Sequence, residues 1–291
     1  MDTVLALDVG GTKLAAARVD RAGRLLQRAV RATPTAPDGE AVFAALVSAA
    51  DEVRDGGERG CGVGSGGPMR RDGAAVSPLN IAGWRDFPLR DRLSDALGLD
   101  VHIDNDAKAL ALGEGWRGAA RGRASYLAMV VSTGVGGGIV LDGRLLDGDE
   151  GNAGHIGHLV VVPDGRPCVC GSRGCLEAEA SGTAIAARTG APAKDADRQE
   201  RRRAGRLVGR AVASVAVLLD LQLAVVAGSV ALGFGADLFD AARAEIDAVA
   251  RISYARGVRI VAAGLGDDGP LVGAAAVGWR GLGVPLSPDR A

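Results

Sequence analysis

A pattern of strand, glycine turn and strand occurs twice in this chain of 291 residues. The first copy, VLALDVGGTKLAAARVDRAGRLL, covers residues 4–26, and the second, LAMVVSTGVGGGIVLDGRLL, covers residues 127–146. Each copy is an apolar strand, a glycine-rich turn, a second strand, another turn and then Arg-Leu-Leu. Chance similarity between glycine hairpins is the alternative, but the matching Arg-Leu-Leu ends favour two related lobes.

Helical and strand patterns alternate along the rest of the chain. Apolar residues recur at helical spacing in five stretches, which are 40–53, 87–97, 106–116, 197–220 and 238–250. Short apolar runs before glycine, at 224–230 and 258–266, predict strands. This alternation predicts an α/β fold. We expect a small N-terminal lobe over residues 1–105, joined by a C-terminal helix at 270–291, and a large lobe over 106–269.

Charge and hydropathy argue against nucleic-acid and membrane partners. The 34 basic and 35 acidic residues leave a net charge of -1, so the protein has no overall positive field that would attract nucleic acid or anionic lipid. The most apolar stretch, 211–228, contains Asp220 and Gln222, which predicts a buried helix and then a strand. The run RQERRRAGR at 198–206 is most simply the solvated start of a helix, with a nucleic-acid patch as the alternative. Without a secretion signal before the first strand, we expect a cytoplasmic protein.

The first glycine turn has the composition of a phosphate-binding loop. In LDVGGTK at 7–13, glycines let the backbone approach a phosphate, and exposed N–H groups with Thr12 donate hydrogen bonds to its oxygens. Asp8 would face the same phosphates, which requires a cation such as Mg²⁺ between them. A tight hairpin is the alternative. The second loop, STGVGGG at 132–138, favours a nucleotide held between two lobes.

Three polar residues stand where a strand gives way to a helix in HIDNDAKALALGEG. Helix capping accounts for one of Asp104, Asn105 and Asp106, but it does not require all three. The helix dipole keeps a carboxylate at this position ionised. An ionised, positioned Asp accepts the proton of an attacking hydroxyl group in phosphoryl transfer.

A histidine and three cysteines predict a metal site. His158, Cys168, Cys170 and Cys175 form the Cys₃His set that suits tetrahedral zinc. Clustered cysteines in an intracellular protein are typical of metal ligands rather than disulfides. Because the protein supplies all four ligands, this zinc would be structural. Cys61 stands alone among valine and glycine, and we expect it to be buried.

Together these motifs resemble the ROK family of repressors, open reading frames and sugar kinases, especially its glucokinase-like members. The resemblance covers essentially the whole chain, through the motifs DVGGTK, GSGGPM with SPLN, DND, STGVGGG, GHIGH, CVCGSRGCLEAEASG and AGSV. It implies the two-lobed actin-like ATPase (ribonuclease H-like) fold with duplicated lobes. It also implies phosphorylation of the 6-hydroxyl of a hexose or modified hexose with ATP and Mg²⁺, by a homodimer or homotetramer.

The resemblance assigns roles to individual residues. Asp106 looks like the catalytic base. The sugar-binding positions are Gly67, Asn80, Asn105, His155, His158 and Glu177. The phosphate- and nucleoside-binding positions are Asp8, Gly10, Gly11, Thr12, Lys13, Thr133, Gly134, Gly228 and Ser229. His158 is similar to the family histidine that binds zinc with one ring nitrogen and reaches the sugar with the other.

One position departs from the family pattern. ROK sugar kinases usually have GExGH where this chain has GHIGH, so His155 stands in place of an acid that accepts hydrogen bonds from ring hydroxyls. A neutral imidazole donates one hydrogen bond and accepts one, whereas a carboxylate only accepts. The sugar is therefore either a modified one or glucose bound through a different hydrogen-bond pattern.

Other classes remain as alternatives to a hexose kinase. A kinase of an amino sugar or cyclitol would use the same phosphate chemistry, with ATP or polyphosphate as donor. A non-catalytic sugar sensor is also known in the family, but such repressors usually carry a DNA-binding helix-turn-helix before the first phosphate strand. Met1 lies close before that strand here, so we expect the kinase. An ATPase or chaperone on the same fold would leave the sugar-side residues without a role.

Overall fold

The computed structural model describes residues 2–35 and 39–286. The strands in these ranges are β1 (Thr3–Val9), β2 (Lys13–Asp20), β3 (Leu25–Ala32), β4 (Glu58–Ser65), β5 (Val101–Asn105), β6 (Tyr126–Val131), β7 (Val135–Leu141), β8 (Arg144–Leu145), β9 (Leu223–Ala227) and β10 (Arg259–Ala262). The α-helices are α1 (Gly39–Val53), α2 (Leu89–Leu97), α3 (Asp106–Arg117), α4 (Leu176–Ala180), α5 (Gly182–Thr189), α6 (Arg198–Leu219), α7 (Ser229–Phe234), α8 (Ala236–Val249) and α9 (Gly269–Gly281).

The strands form two five-stranded sheets of the same topology. The first has the order β3-β2-β1-β4-β5, and the second, counted from its β8 edge, has the order β8-β7-β6-β9-β10. In each sheet the first three strands of the order pair antiparallel. The fourth strand pairs in parallel with the third, and the fifth pairs in parallel with the fourth. The internal repeat predicted from the two glycine hairpins is confirmed.

The chain divides into two compact units. The first contains the chain up to Gly122, the segment Asp147–Ala153 and the chain from Gly264 onward, and the second contains 123–146 and 154–263. The first unit extends beyond the expected boundary at residue 105, because α3 packs on α9. A Cβ atom at Gly273 of α9 would lie 2.6 Å from the carbonyl oxygen of Ala109. Of the expected helix at 270–291, residues 287–291 lie outside the described ranges.

The parallel strands bring the polar motifs of each unit to one sheet edge. In the first sheet Asp8 pairs with Gly64, which pairs with Asp104, so the chain leaves β1, β4 and β5 at the same edge. In the second sheet Val130 of β6 pairs with Ala227 of β9, so STG and GS follow the two strands side by side. Open α/β sheets bind ligands beyond the carboxyl ends of parallel strands.

The apolar stretch 211–228 contains the end of the helix α6 and the strand β9, as predicted. Asp197 caps α6 by accepting a hydrogen bond from the backbone N–H of Glu200 at 2.8 Å. The helix ends at Leu219, and the next residue, Asp220, adopts a left-handed conformation with φ of 53°. The strand β9 is buried at four of its five positions. Within the ranges 2–35 and 39–286, no helix is both long and apolar enough to cross a membrane.

Candidate functional site

The DVGGTK turn in the first unit is tight and exposed. The backbone N–H of Gly10 donates to the carbonyl of Lys13 at 3.0 Å, and the hydroxyl of Thr33 donates to the carbonyl of Gly10 at 2.7 Å. These bonds fix the turn, while Gly11, Thr12 and Lys13 remain exposed. The turn thus presents backbone N–H groups, a hydroxyl and an ammonium group, which suits phosphate oxygens.

Asp8 lies at the end of β1, beside this turn, and is only partly exposed. Burial, followed by the negative charge of Asp106, raises the pKa of Asp8 to about 6, although Lys13 and Arg28 act in the opposite direction. The two carboxylates therefore repel each other in the absence of a counter-charge. A hard cation such as Mg²⁺ prefers carboxylate oxygens and would relieve this repulsion, so Asp8 fits the role of holding a nucleotide-bound Mg²⁺.

Asp8→Asn is expected to stabilise the ligand-free protein at neutral pH. Asp8 binds its proton more tightly when folded, because its pKa is about 6 against a reference value of 3.8. The free energy of unfolding therefore falls as pH rises from about 4 to 6 and stays lower above that range. Removing the charge should recover on the order of 2–3 kcal/mol at pH 7. Urea unfolding of both proteins in EDTA between pH 4 and 7.5 checks this, and equal pH slopes would contradict it.

The DND motif lies at the neighbouring strand end. The side chain of Asn105 caps α3 by accepting from the N–H of Ala107 at 3.0 Å, and Asp106 Oδ1 accepts from the same N–H at 2.8 Å. Asp106 is exposed at the helix start. A Cβ at Gly67 would lie 3.6 Å from Asn105 Nδ2, so the GSGGPM turn borders this amide. Gly67 and Asn105, which are expected to bind the sugar, therefore lie next to Asp106, the expected base.

Asn80 lies against the phosphate turn. A Cβ atom at Gly11 would meet the Cβ of Asn80 at 2.4 Å, and both residues are exposed. The loop before α2 therefore places the Asn80 amide next to the first glycine turn. This connects the SPLN motif to DVGGTK within the first unit.

The STG turn and the AGSV turn of the second unit are also adjacent. The hydroxyls of Ser132 and Ser229 lie 2.9 Å apart, and the hydroxyl of Thr183 donates to the carbonyl of Thr133 at 2.9 Å. Gly228 has φ of 100°, and a Cβ there would meet the carbonyl oxygen of Val131 at 2.3 Å, so only glycine fits. The second unit therefore presents Thr133, Gly134 and Ser229 at one sheet edge.

The three cysteines and His158 converge as the sequence predicts. Their ligand atoms all lie within 4.8 Å of one another. His158 Nδ1 is 3.6 Å from Cys168 Sγ, and Cys170 Sγ is 3.7 Å from Cys175 Sγ. Tetrahedral zinc with Zn–S bonds of about 2.3 Å requires S···S edges of about 3.8 Å. The donor set and spacing fit zinc, and Nδ1 is the imidazole nitrogen that would bind it.

The same loop orients Glu177. α4 begins immediately after Cys175, and Glu177 Oε2 accepts a hydrogen bond from the backbone N–H of Val135 at 2.9 Å. Val135 follows the STG turn directly and is the first residue of β7, so the Glu177 carboxylate links the cysteine loop to this strand. The predicted sugar-side residue Glu177 therefore stands beside Thr133 and Gly134.

His155 precedes a short 3-10 helix, Ile156–His158, whose last residue is His158, and both histidines are exposed. Their rings are nearly parallel, with centroids 6.2 Å apart. The glycine between them, Gly157, packs on β7, where a Cβ would meet the carbonyl oxygen of Val135 at 2.1 Å. In the GHIGH loop the imidazole of His158 thus faces the cysteines, and the imidazole of His155 lies beside that of His158.

Three charged residues of the first unit, Lys108, Asp147 and Arg280, were not predicted from the motifs. They form hydrogen-bonded ion pairs with one another or with Asp104. The one available signal was a lysine within the apolar helical stretch 106–116, because a buried lysine requires partners. Its partners lie far along the chain, where no spacing rule points to them.

Comparison with protein-family models matches residues 4–279 to the ROK family. The chain belongs to the ROK family. It is 41% identical to the glucokinase of Thermotoga maritima over 185 residues, which is 62% of this chain and 58% of that protein. It is 39% identical to the N-acetylmannosamine kinase of Citrobacter koseri over 250 residues, which is 80% of this chain and 85% of that protein. The glucokinase match thus spans little more than half of that relative.

Solved structures of ROK proteins share the fold over nearly the full chain. The ROK hexokinase of Thermus thermophilus has a TM-score of 0.81 at 36% identity and covers 97% of this chain and 99% of its own. A ROK glucokinase of Streptomyces griseus, solved with glucose and AMPPNP, has a TM-score of 0.81 at 32% identity and covers 96% and 99%. The fold is the actin-like ATPase fold of ROK sugar kinases, as the motifs implied.

Proposed function

We propose that this protein is an ATP-dependent sugar kinase that phosphorylates the 6-hydroxyl of a hexose or modified hexose. The observation that carries the proposal is Asp106, an exposed carboxylate at a helix N-terminus, beside Asn105 and at the same sheet edge as the Asp8–Lys13 turn. Such an edge supplies both halves of phosphoryl transfer, a base for the hydroxyl and donors for the phosphates. Family membership and the named relatives support the same reaction class.

The chemistry assigned to the protein is proton removal and positioning. The helix dipole favours the charged form of Asp106, and the Ala107 N–H positions it by donating to Oδ1, so this carboxylate can accept the proton of the attacking hydroxyl. That hydroxyl oxygen bonds to the γ-phosphorus as the bond to the β-phosphate oxygen breaks. Asp8 would hold a nucleotide-bound Mg²⁺, whose chemistry would be to neutralise phosphate charge. In the first unit, the N–H groups of the glycine turn with Thr12 and Lys13 are the proposed phosphate donors. In the second unit, Thr133 and the turn that contains Gly134 are assigned to phosphate, and Gly228 and Ser229 to the nucleoside.

The remaining sites complete the proposal. The proposed sugar-binding residues of the first unit are Gly67, Asn80 and Asn105. Those of the second unit are His155, His158 and Glu177. A structural Zn²⁺ bound by His158 and the three cysteines fixes the loop that carries His158 and Glu177. Because this one loop carries both residues, loss of zinc would disturb the sugar contacts of His158 and Glu177 together.

We further propose that the sugar is an N-acylated hexosamine. An imidazole at His155 has an N–H to donate, and an acetamido carbonyl is an acceptor that a carboxylate at this position would repel. An unmodified hexose offers only hydroxyls there, for which an acid is the better partner. The similarity to N-acetylmannosamine kinase supports this assignment, because it extends over 80% of the chain, against 62% for glucokinase.

A coupled ADP-release assay on a panel of sugars tests the function. Glucose, mannose, N-acetylglucosamine, N-acetylmannosamine and a cyclitol are offered with ATP and with polyphosphate. We expect ATP-dependent turnover that is highest with an N-acetylated hexosamine, and phosphorus NMR of the product should show a 6-phosphate. Sugar binding without turnover of any member would overturn the kinase assignment.

His155→Glu is expected to exchange the sugar preference. The introduced carboxylate accepts hydrogen bonds from ring hydroxyls, so kcat/KM for glucose should rise about tenfold, the effect of one good hydrogen bond of ~1.5 kcal/mol. The kcat/KM for N-acetylmannosamine should fall. His102→Glu, at a partly exposed histidine of β5 that pairs with Asp100, provides a histidine-to-acid control. If His155→Glu lowers glucose activity, the histidine already suits glucose.

A further inference from the structure

Lys108 is a buried lysine two residues after the proposed catalytic base. Its side chain is only 4% exposed. Its ammonium group lies 3.1 Å from Asp104 Oδ1, 2.8 Å from Asp147 Oδ1 and 3.1 Å from the carbonyl oxygen of Gly151. An ammonium group has three hydrogen-bond donors, so these three acceptors use its full capacity.

Arg280 closes the arrangement into a ring of alternating charge. Its guanidinium lies 3.4 Å from Asp104 Oδ2 and 2.8 Å from Asp147 Oδ2. Each aspartate thus gives one oxygen to Lys108 and the other to Arg280. We call Asp104, Lys108, Asp147 and Arg280 the charge ring. It carries no net charge, and its members come from β5, α3, the segment after β8, and α9.

The two aspartates have different environments. Burial raises the pKa of Asp104, although Lys108 and Arg280 oppose the shift. Burial acts in the same direction on Asp147, but hydrogen bonds from Lys108 and Arg280 outweigh it, so its pKa is lowered. Asp104 also accepts from the backbone N–H of Asn105 at 2.9 Å, which connects the ring directly to the DND motif.

The charge ring binds a segment that belongs to a different unit from the chain on either side of it. Residues 147–153 belong to the first unit, although the chain on both sides belongs to the second. Lys108 holds this segment at its start, through Asp147, and again at the carbonyl of Gly151. The segment closes on itself, because the N–H of Ala153 donates to the carbonyl of Asp147 at 3.0 Å. Gly154 and His155 follow directly.

A purely stabilising role fits poorly the two buried members of this ring, Lys108 and Asp104, whose side chains are 4% and 13% exposed. Removing charged groups from water costs several kcal/mol per ion, so apolar residues of similar volume often stabilise a protein as well as a buried ion pair does. The better-supported use of buried ionic groups is to select one arrangement of the chain. In this protein the ammonium group of Lys108 binds both Asp104 of the DND motif and the segment that precedes His155.

We propose that Lys108 is a positioning residue that sets the sugar-side loop by holding the segment Asp147–Ala153 to the start of the helix of Asp106. The role in sugar binding rests on the proposed kinase function, whereas the attachment of the segment does not. Lys108 need not contact the substrate. It acts through Asp147 and Gly151 on the chain that enters His155, and through Asp104 on Asn105.

Lys108→Met keeps the unbranched apolar part of the side chain and removes the ammonium group. We expect the sugar KM to rise about tenfold or more, the scale of a displaced hydrogen-bonding group, with the KM for ATP within about twofold of wild type. Hydrogen–deuterium exchange should show faster exchange of the Ala153 amide. Thermal unfolding should also occur at a lower temperature, because Asp104 and Asp147 then share one cation.

A double variant separates positioning from stability. Lys108→Met with Asp147→Asn restores charge balance, since Arg280 still pairs with Asp104. We expect the unfolding temperature to recover while the sugar KM and the Ala153 exchange remain high. The matched control is Arg92→Met with Glu40→Gln, which removes the ion pair of Arg92 and Glu40 between α1 and α2 of the same unit. Its sugar KM should stay within about twofold of wild type.

The outcomes distinguish this inference from the proposed function. Unchanged Ala153 exchange in Lys108→Met overturns the inference, whatever the sugar assay shows. Faster exchange with an unchanged sugar KM also overturns it, because the segment would then not set the sugar site. If wild-type protein turns over no sugar, the proposed function fails; the exchange experiment still decides the attachment, and the part of the inference that concerns sugar is overturned.

Discussion

Asp106→Asn is expected to lower kcat by about 10²-fold or more, the usual size of lost general-base help. The amide oxygen can still accept from the Ala107 N–H, as Asp106 Oδ1 does at 2.8 Å, so α3 should start as before. The amide cannot take the proton of the sugar hydroxyl. The KM for sugar should therefore change little, and steady-state kinetics with the preferred sugar of the panel separates the two parameters.

A control variant and a titration test whether the lost turnover comes from the missing base. Asp95→Asn removes an exposed carboxylate from α2 in the same unit, and its kcat should equal that of wild type. Because the charge of Asp106 helps to raise the pKa of Asp8, Asp106→Asn should also lower that pKa, which NMR titration of the Asp8 carboxyl would detect. A kcat within about threefold of wild type would remove Asp106 from the role of base.

The repeat and the polar strand ends could be predicted from sequence because both depend on local patterns. A glycine turn after an apolar run needs only neighbouring residues to be recognised, and two such copies predicted two related lobes. The cysteine cluster was equally accessible, since three ligands lie within eight residues and His158 lies ten residues before Cys168. The roles of individual residues remain predictions drawn from the family resemblance.

β4 was not among the predicted strands, and its packing gives the reason. Its sequence, ERGCGVGS, is rich in glycine, which weakens a strand pattern. Glycine is needed because α9 approaches the strand closely, and a Cβ at Gly62 would lie 1.9 Å from the carbonyl oxygen of Ala274. The unit boundary was displaced for a related reason, since α3 also packs on α9. Both features depend on a helix more than 150 residues away.

The charge ring was beyond sequence reasoning for the same reason. Lys108 and Asp104 are four positions apart in the sequence, but Asp147 and Arg280 reach them from distant segments. Nothing in the local pattern of either residue distinguishes it from an ordinary surface charge. Cys61 is the opposite case, because its valine and glycine neighbours predicted burial and it is fully buried.

Removal of the zinc ligands is expected to destabilise the second unit strongly. We expect about one zinc per chain by mass spectrometry of the purified protein, since one Cys₃His set binds one ion. Cys170 is exposed, so Cys170→Ser removes almost no packing, and any large effect must act through the metal. Loss of a structural zinc typically costs several kcal/mol, so we expect the unfolding temperature to fall by roughly 10 °C. The sugar KM should rise in the same variant, because this loop carries His158 and leads into Glu177.

The matched control is Cys61→Ala, which removes a buried thiol from the first unit without touching the cluster. It should retain the full zinc content and the wild-type sugar KM, with only the modest stability loss of a small cavity. Treatment of wild type with a chelator should reproduce the Cys170→Ser phenotype, and added zinc should restore wild type but not the variant. Active protein that holds no zinc after careful purification would refute the site. In that case the four ligand atoms, which lie within 4.8 Å of one another, would have another role, such as a dithiol formed by Cys170 and Cys175.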